Sequence, residues 1–168
     1  MKLYHGSNVI VKKPTLMPQQ RALDFGPGFY TTTNKEQAIA FAQKLKERMN
    51  SEKGIVNVYE IAPIETLKQK LAILEFLFPD HSWLDFVLEN RNGTYRGKIY
   101  DIICGPVTND TIYGTFIAYE NGIITKEETI EWLKVKKLYN QITFSTVKAL
   151  TFLKYIEKIE VQETPNDK

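Results

Sequence analysis

The segment Asp24–Ala42, DFGPGFYTTTNKEQAIAFA, constrains the fold of this chain more than any other. Gly26, Pro27 and Gly28 interrupt regular structure and read as a tight turn. Phenylalanine, tyrosine and threonine suit a pleated surface, so a short strand is expected over Gly28–Thr33. Asn34 is a good helix N-cap, with Gln37 three residues later as in a capping box. Ala38, Phe41, Ala42 and Leu45 then mark one face of a helix ending near Asn50. Turn, strand and helix follow without a linker, which points to a mixed α+β chain.

The rest of the chain continues the pattern. Lys2–Tyr4 is a strand candidate that ends at His5-Gly6-Ser7. Residues 8–24 carry two prolines and little periodicity and read as a long loop, a kind of segment that often carries function. Gly54–Ile61 alternates like a strand, Leu71–Phe76 is a short apolar run, and Asp80 or Ser82 caps a helix bearing Trp83, Phe86, Val87 and Asn90. Tyr100–Val107 reads as a buried strand that stops at Gly105-Pro106. Asn109 or Asp110 caps the next helix, to about Tyr119, and Thr125 with Glu128 forms a capping box for another. A strand over Gln141–Ser145, a helix over Thr146–Leu153 and a strand over Tyr155–Val161 complete one domain, residues 1–162, with a polar tail at 163–168.

Composition narrows the function classes. A chain of 168 residues fits one domain and can bury a core without disulfides or metals. The net charge of +2 is too small to imply nucleic-acid binding from the global field. Cys104 is the one cysteine and the histidines number two, without ligand spacing, so no metal site and no internal disulfide is expected. No secretory signal and no apolar run long enough to span a membrane is read, and the expected location is the cytoplasm.

The candidate functional residues are individually ambiguous. The Gly-Pro-Gly turn is not a dinucleotide fingerprint, because its glycines precede a strand instead of opening a helix. His5 could be a structural histidine at a strand end, and Gly6 beside it would let a ligand reach the backbone. Tyr30 and Phe41 could both be core, Gln141 could be a solvated amide, and Asp110 could be a helix cap. His81 and Cys104 have no constellation around them, and the Trp83, Phe86, Val87 stripe reads as core or a partner surface.

Order and spacing carry more. His5-Gly6-Ser7, then Gly26-Pro27-Gly28-Phe29-Tyr30 before a helix, then Asn140-Gln141-Ile142-Thr143-Phe144, resembles the ADP-ribosyltransferase superfamily. The closer likeness is to its poly-ADP-ribose polymerase and diphtheria-toxin branch, with His, Tyr and Glu on three strands. Phe41 follows Tyr30 by eleven residues, the spacing of that branch's second aromatic. The chain also resembles a small bacterial branch of domains of unknown function, with wording close to DFGxGFYxTT, GPVxND and QxxFxT and with glutamine at the third signature position.

The resemblance implies two small packed β-sheets that form an NAD cleft. Gly6 would hold the nicotinamide amide through its backbone and His5 the adenosine ribose. Tyr30 and Phe41 would sandwich the nicotinamide ring, where aromatic stacking contributes about 0.5–1.5 kcal/mol beyond burial. Ser7, Gly28 and Thr32 complete the expected binding set, and Arg21 in the residue 8–24 loop is the candidate phosphate ligand. Gln141 stands where active transferases usually carry a glutamate; it keeps an acceptor but neither charge nor basicity. A substitute carboxylate would be Asp110 first and Asp24 second. The implied activity is NAD-dependent mono-ADP-ribosylation of a macromolecular acceptor, protein or nucleic acid, as the toxin of a bacterial toxin–antitoxin module with a small antitoxin partner. The alternatives are a non-catalytic NAD or ADP-ribose binding module and an NAD glycohydrolase.

Overall fold

The computed structural model describes residues 1–16, 23–107, 113–134 and 139–161. In chain order the elements are β1 (Lys2–Ser7), β2 (Phe29–Thr32), α1 (Lys35–Arg48), β3 (Gly54–Glu60), α2 (Ile64–Leu67), β4 (Ile73–Glu75), α3 (His81–Arg91), β5 (Ile102–Val107), α4 (Tyr113–Glu120), α5 (Lys126–Lys134), β6 (Tyr139–Phe144), α6 (Val147–Leu150) and β7 (Lys154–Val161). The strands form one seven-stranded mixed sheet in the order β4-β5-β6-β2-β1-β3-β7. Only β4–β5 is parallel among these pairs; the others are antiparallel.

The expected pair of packed sheets is therefore a single hydrogen-bonded sheet. Its two halves, β4-β5-β6-β2 and β1-β3-β7, meet at one register pair, Tyr4↔Thr32. By contrast β1 runs in register with β3 from Lys2↔Glu60 to Ser7↔Ile55. The centre of the sheet is its least-paired junction.

Register partners share a face, and successive residues alternate. The back face carries Leu3, Phe29, Ile102, Ile142 and Phe144, buried with Leu67, Ala149 and Leu150 of α2 and α6. The front face is covered twice. Over β4 and β5, helices α3, α4 and α5 bury Trp83, Val87, Phe116, Ile130 and Leu133 against Ile103 and Val107. Over β1 and β3, α1 packs through Ala38 and Ala42 against Val56. Between these two layers lies the front strip of β2 and β6: Tyr30, Thr32, Gln141 and Thr143.

The local signals explain most elements. Asn34 Oδ1 accepts from Gln37 N at 2.9 Å and starts α1. Asp80 Oδ1 accepts from Trp83 N at 2.8 Å and starts α3. The Thr125 and Glu128 capping box forms at α5, with bonds of 2.7 and 3.2 Å. Four expectations shift. Strand β1 continues through His5-Gly6-Ser7 instead of ending before them. Strand β5 runs through Gly105-Pro106 instead of stopping there. Cys104 O points toward β4 and accepts from Phe76 N at 2.8 Å, so by alternation Pro106 faces the same side, beyond the β4–β5 register. The amide proton that proline lacks is not needed by the β6 ladder. Strand β6 starts earlier than Gln141, at Tyr139, and the expected Thr146–Leu153 helix is the single turn α6.

Candidate functional site

The turn before β2 is tied down at every residue that matters to Tyr30. Asp24 is buried and accepts from Arg91 Nη1 of α3 at 2.8 Å. Phe25 is buried against Phe76 and Phe86. Gly26 has φ 72°, a backbone conformation that favours glycine, and a Cβ there would also displace the Asn90 side chain, whose Oδ1 would lie 2.4 Å away. The Tyr30 hydroxyl donates to Gly26 O at 2.5 Å and accepts from Phe25 N at 3.2 Å. A half-buried ring is thus fixed by the turn that precedes its own strand.

His5 is joined to Tyr30 directly. Its Nδ1 lies 2.7 Å from Tyr30 O. A carbonyl only accepts, so Nδ1 carries the proton and Nε2 is left as an acceptor in the neutral ring. Burial pushes the His5 pKa below 6.5, and the bond to Tyr30 offsets only part of that, so the ring is neutral at pH 7. The imidazole stacks on Phe29, with centroids 4.3 Å apart.

Gly6 faces two ways. Met1 and Ile61 exchange both backbone bonds, at 2.6 and 3.0 Å, so Met1 faces β3. Alternation along the unbroken β1–β3 register then turns Tyr4 and Gly6 toward β2. Tyr4 meets Thr32; Gly6 lies beyond that pair, where Tyr30 O is already engaged by His5. The Gly6 N–H and C=O therefore look into the gap between β1 and β2. Its Cα faces α1, where a Cβ would lie 2.4 Å from Ala38 O.

Helix α1 packs beside this strip on the front face. Phe41 was expected on the apolar face with Ala38 and Ala42, but those two alanines are buried while Phe41 is 44% exposed. Gln37, one turn earlier, bonds to Thr32 Oγ1 at 2.6 Å. Phe41 and Gln37 are on the same side of the helix, so Phe41 is carried along the β2 edge of α1. The expected capping box is only half formed: Asn34 caps Gln37 N, but the Gln37 side chain goes to Thr32. Gln141 lies opposite Thr32 on the same face and is half-buried.

The remaining candidates divide. Ser7 Oγ accepts from Val9 N at 3.2 Å and shapes the turn after β1. The loop that follows is pinned by Asn57, which accepts from Val11 N at 2.8 Å and donates to Val9 O at 3.0 Å, beside His5 in register. Gly28 is glycine for packing: a Cβ would meet Thr143 Cγ2 at 2.6 Å and Phe144 O at 2.9 Å. Arg21 and Asp110 lie outside the described residues. Sequence reasoning missed the outward role of Gln37, the Arg91 partner of Asp24, and Thr143, whose buried Oγ1 has no hydrogen-bond partner among the described residues. Only Gln37 had a local signal, its three-residue offset from Asn34. A separate cavity of about 450 Å³, lined by Leu74, Phe76, Phe86, Tyr95 and Tyr100 among others, contains none of the candidate residues.

Among the described residues no helix is long and apolar enough to cross a membrane, and no group of three or more His, Cys, Asp or Glu is placed to hold a metal ion. The class these features define is an α+β domain with a mixed seven-stranded sheet, parted at its centre beside His5, Gly6 and Tyr30. Residues 1–155 match the family model described as "Protein of unknown function (DUF3990)", and the chain belongs to that family. No curated protein and no solved structure matches it.

Proposed function

We propose that this domain binds NAD at the β1–β2 gap and transfers single ADP-ribose units to a macromolecular acceptor, with an ADP-ribosyltransferase-like use of its sheet. One observation carries the reading. His5-Gly6, Tyr30 and Gln141 sit on three strands that are neighbours in the sheet, β1, β2 and β6, although they are far apart in sequence. Gly6 offers one donor and one acceptor to a carboxamide, which needs both. Neutral His5, whose ring packs on Phe29 of the back face and reaches the β1–β2 gap at Tyr30 O, keeps Nε2 as the acceptor it could offer to a ribose hydroxyl. Tyr30 presents a ring held rigidly by its own hydroxyl, and Phe41 is an exposed aromatic on the facing helix edge.

In this reaction the bond between ribose C1 and the nicotinamide nitrogen breaks, and nicotinamide leaves with the electron pair. The acceptor nucleophile bonds to C1 and gives up its proton to solvent or a base. Gln141 can accept a hydrogen bond from the ribose 2-hydroxyl but adds no charge and takes no proton. A missing charge of that kind costs on the order of a few kcal/mol of transition-state stabilisation.

Incubation with labelled NAD and cell lysate tests the proposal. Label transfer and nicotinamide release are expected from the wild type and lost in Tyr30→Ala and His5→Ala. The toxin role is tested by expression: growth arrest that Tyr30→Ala relieves supports it. No saturable binding at millimolar NAD rejects the whole reading. A second reading, NAD or ADP-ribose binding without transfer, is favoured by the Asp24–Arg91 ion pair at 2.8 Å, which occupies one of the two candidate substitute bases. Binding with neither product would select it.

A further inference from the structure

We infer that Thr32 and Gln37 form a latch that positions α1, and with it Phe41, against Tyr30 and Gln141; the inference rests on the NAD-site reading above. Thr32 Oγ1 is the meeting point of three segments. It lies 2.6 Å from Gln37 Oε1 of α1, accepts from Asn34 N of the N-cap at 3.0 Å, and lies 3.0 Å from Asn140 O of β6. The hydroxyl has one proton, shared between Gln37 Oε1 and Asn140 O. Thr32 is buried, while Asn34 and Gln37 are half-buried and Asn140 is exposed, so the hydroxyl itself is the part of the junction shielded from bulk water.

The placement gives the latch its function. Asn140 immediately precedes Gln141, and Thr32 is the register partner of Gln141. Phe41 follows Gln37 by one helical turn on the same side. One hydroxyl therefore joins the strand carrying Gln141 to the helix edge carrying Phe41. The fully buried part of the α1 seat is made of small residues: Ala38 and Ala42 lie against Gly6 and Gly54, with the partly buried Ile39, Tyr4, Ile159 and Val161 packed around them. Such small residues fix how near the helix comes and resist its rolling poorly, since neither alanine interdigitates as a larger side chain would. The Thr32–Gln37 bond adds a directional restraint against roll on the β2 side, where Phe41 is exposed, to the packing of Ile39 in the seat. Thr32 and Gln37 are thus positioning residues for the aromatic wall.

Two measurements test this on the full chain. Amide hydrogen exchange without NAD reads the latch itself. Thr32→Val and Gln37→Ala are each expected to speed exchange in the first two turns of α1 by about fivefold or more, and Thr32→Ser to restore it. NAD titration reads the consequence. Thr32→Val and Gln37→Ala should each weaken binding by about tenfold, their double variant no further, and Thr32→Ser should stay within about twofold of wild type. In a Phe41→Ala background Thr32→Val should change NAD affinity by less than about twofold. Unchanged α1 exchange in both Thr32→Val and Gln37→Ala overturns the latch whatever NAD does. Faster exchange with unchanged NAD affinity, in a wild type that binds NAD, overturns its role in positioning Phe41. A wild type that binds no NAD overturns the functional reading and the positioning role together, while the exchange data still decide whether the latch exists.

Discussion

Gly6→Ala separates a glycine kept for helix packing from one kept only for ligand access. A Cβ at Gly6 would lie 2.4 Å from Ala38 O and 3.0 Å from Ala42 N. Ordinary contact begins near 3.4 Å, so α1 must retreat by about 1 Å, and both opposing atoms are backbone that no rotamer can move. Overpacking of this severity costs about 3 kcal/mol, the upper part of the usual range. Alanine recovers about 0.5–1 kcal/mol of the backbone entropy that glycine loses in a strand, leaving a net loss of about 2 kcal/mol. For a chain of this size that lowers Tm by roughly 4–8 °C. Gly54→Ala is the control. Its Cβ would meet Ala42 O at 3.0 Å, so less than half the displacement is needed, and the same entropic gain brings its net cost to about zero. Thermal unfolding followed by circular dichroism checks both. A Gly6→Ala protein that melts no lower than Gly54→Ala would refute the steric reasoning.

Three further predictions follow from the same geometry. The His5 pKa is lowered from 6.5 in the folded state, so on acidification the unfolded chain takes up the proton first; stability is full above about pH 6.5 and falls below it, by at most about 1.4 kcal/mol per pH unit, until the folded pKa is reached. Urea unfolding between pH 7.5 and 5.5 should therefore show a steeper loss for wild type than for His5→Gln, and parallel slopes would count against it. Tyr30→Phe keeps the ring but removes the bonds to Gly26 O and Phe25 N, so it should cost about 1–2 kcal/mol of stability while weakening NAD binding far less than Tyr30→Ala; equal losses of affinity would remove the stacking role. Asp24→Asn should cost about 2–4 kcal/mol by removing the carboxylate from its pair with Arg91, and its loss should be clearly less than additive with that of Arg91→Ala, which also loses the contact with the Phe116 ring; strict additivity in a double-mutant cycle in urea would count against the pair.

The elements legible in the sequence are those governed by neighbours in the chain. Asn34, Asp80 and Thr125 each bond a backbone N–H three residues on, an interaction complete within one helical turn. The strand over Gly54–Glu60 and the turn at Gly26 were equally local. Pro106 misled because a proline tolerates a strand interior when its nitrogen faces a side with no ladder partner, and that depends on where β4 ends. Phe41 misled in the same way: helical periodicity groups it with Ala38 and Ala42, and only the sheet beneath α1 decides which of the three is buried.

The sequence by itself determined the order of turn, strand and capped helix and the residue types offered for chemistry: a histidine and glycine at one strand end, an aromatic in the next strand, an amide in a late one. Tertiary structure alone decided that β1, β2 and β6 are neighbours, that β1 and β2 part beyond Tyr4↔Thr32, and that Asp24 is spent on Arg91. The physical reason is range. Capping and turn chemistry are settled over three or four residues. The partner of Asp24 lies 67 residues away and that of Thr32 on β6 lies 108 away, and no local propensity records a bond that exists only once the sheet has closed.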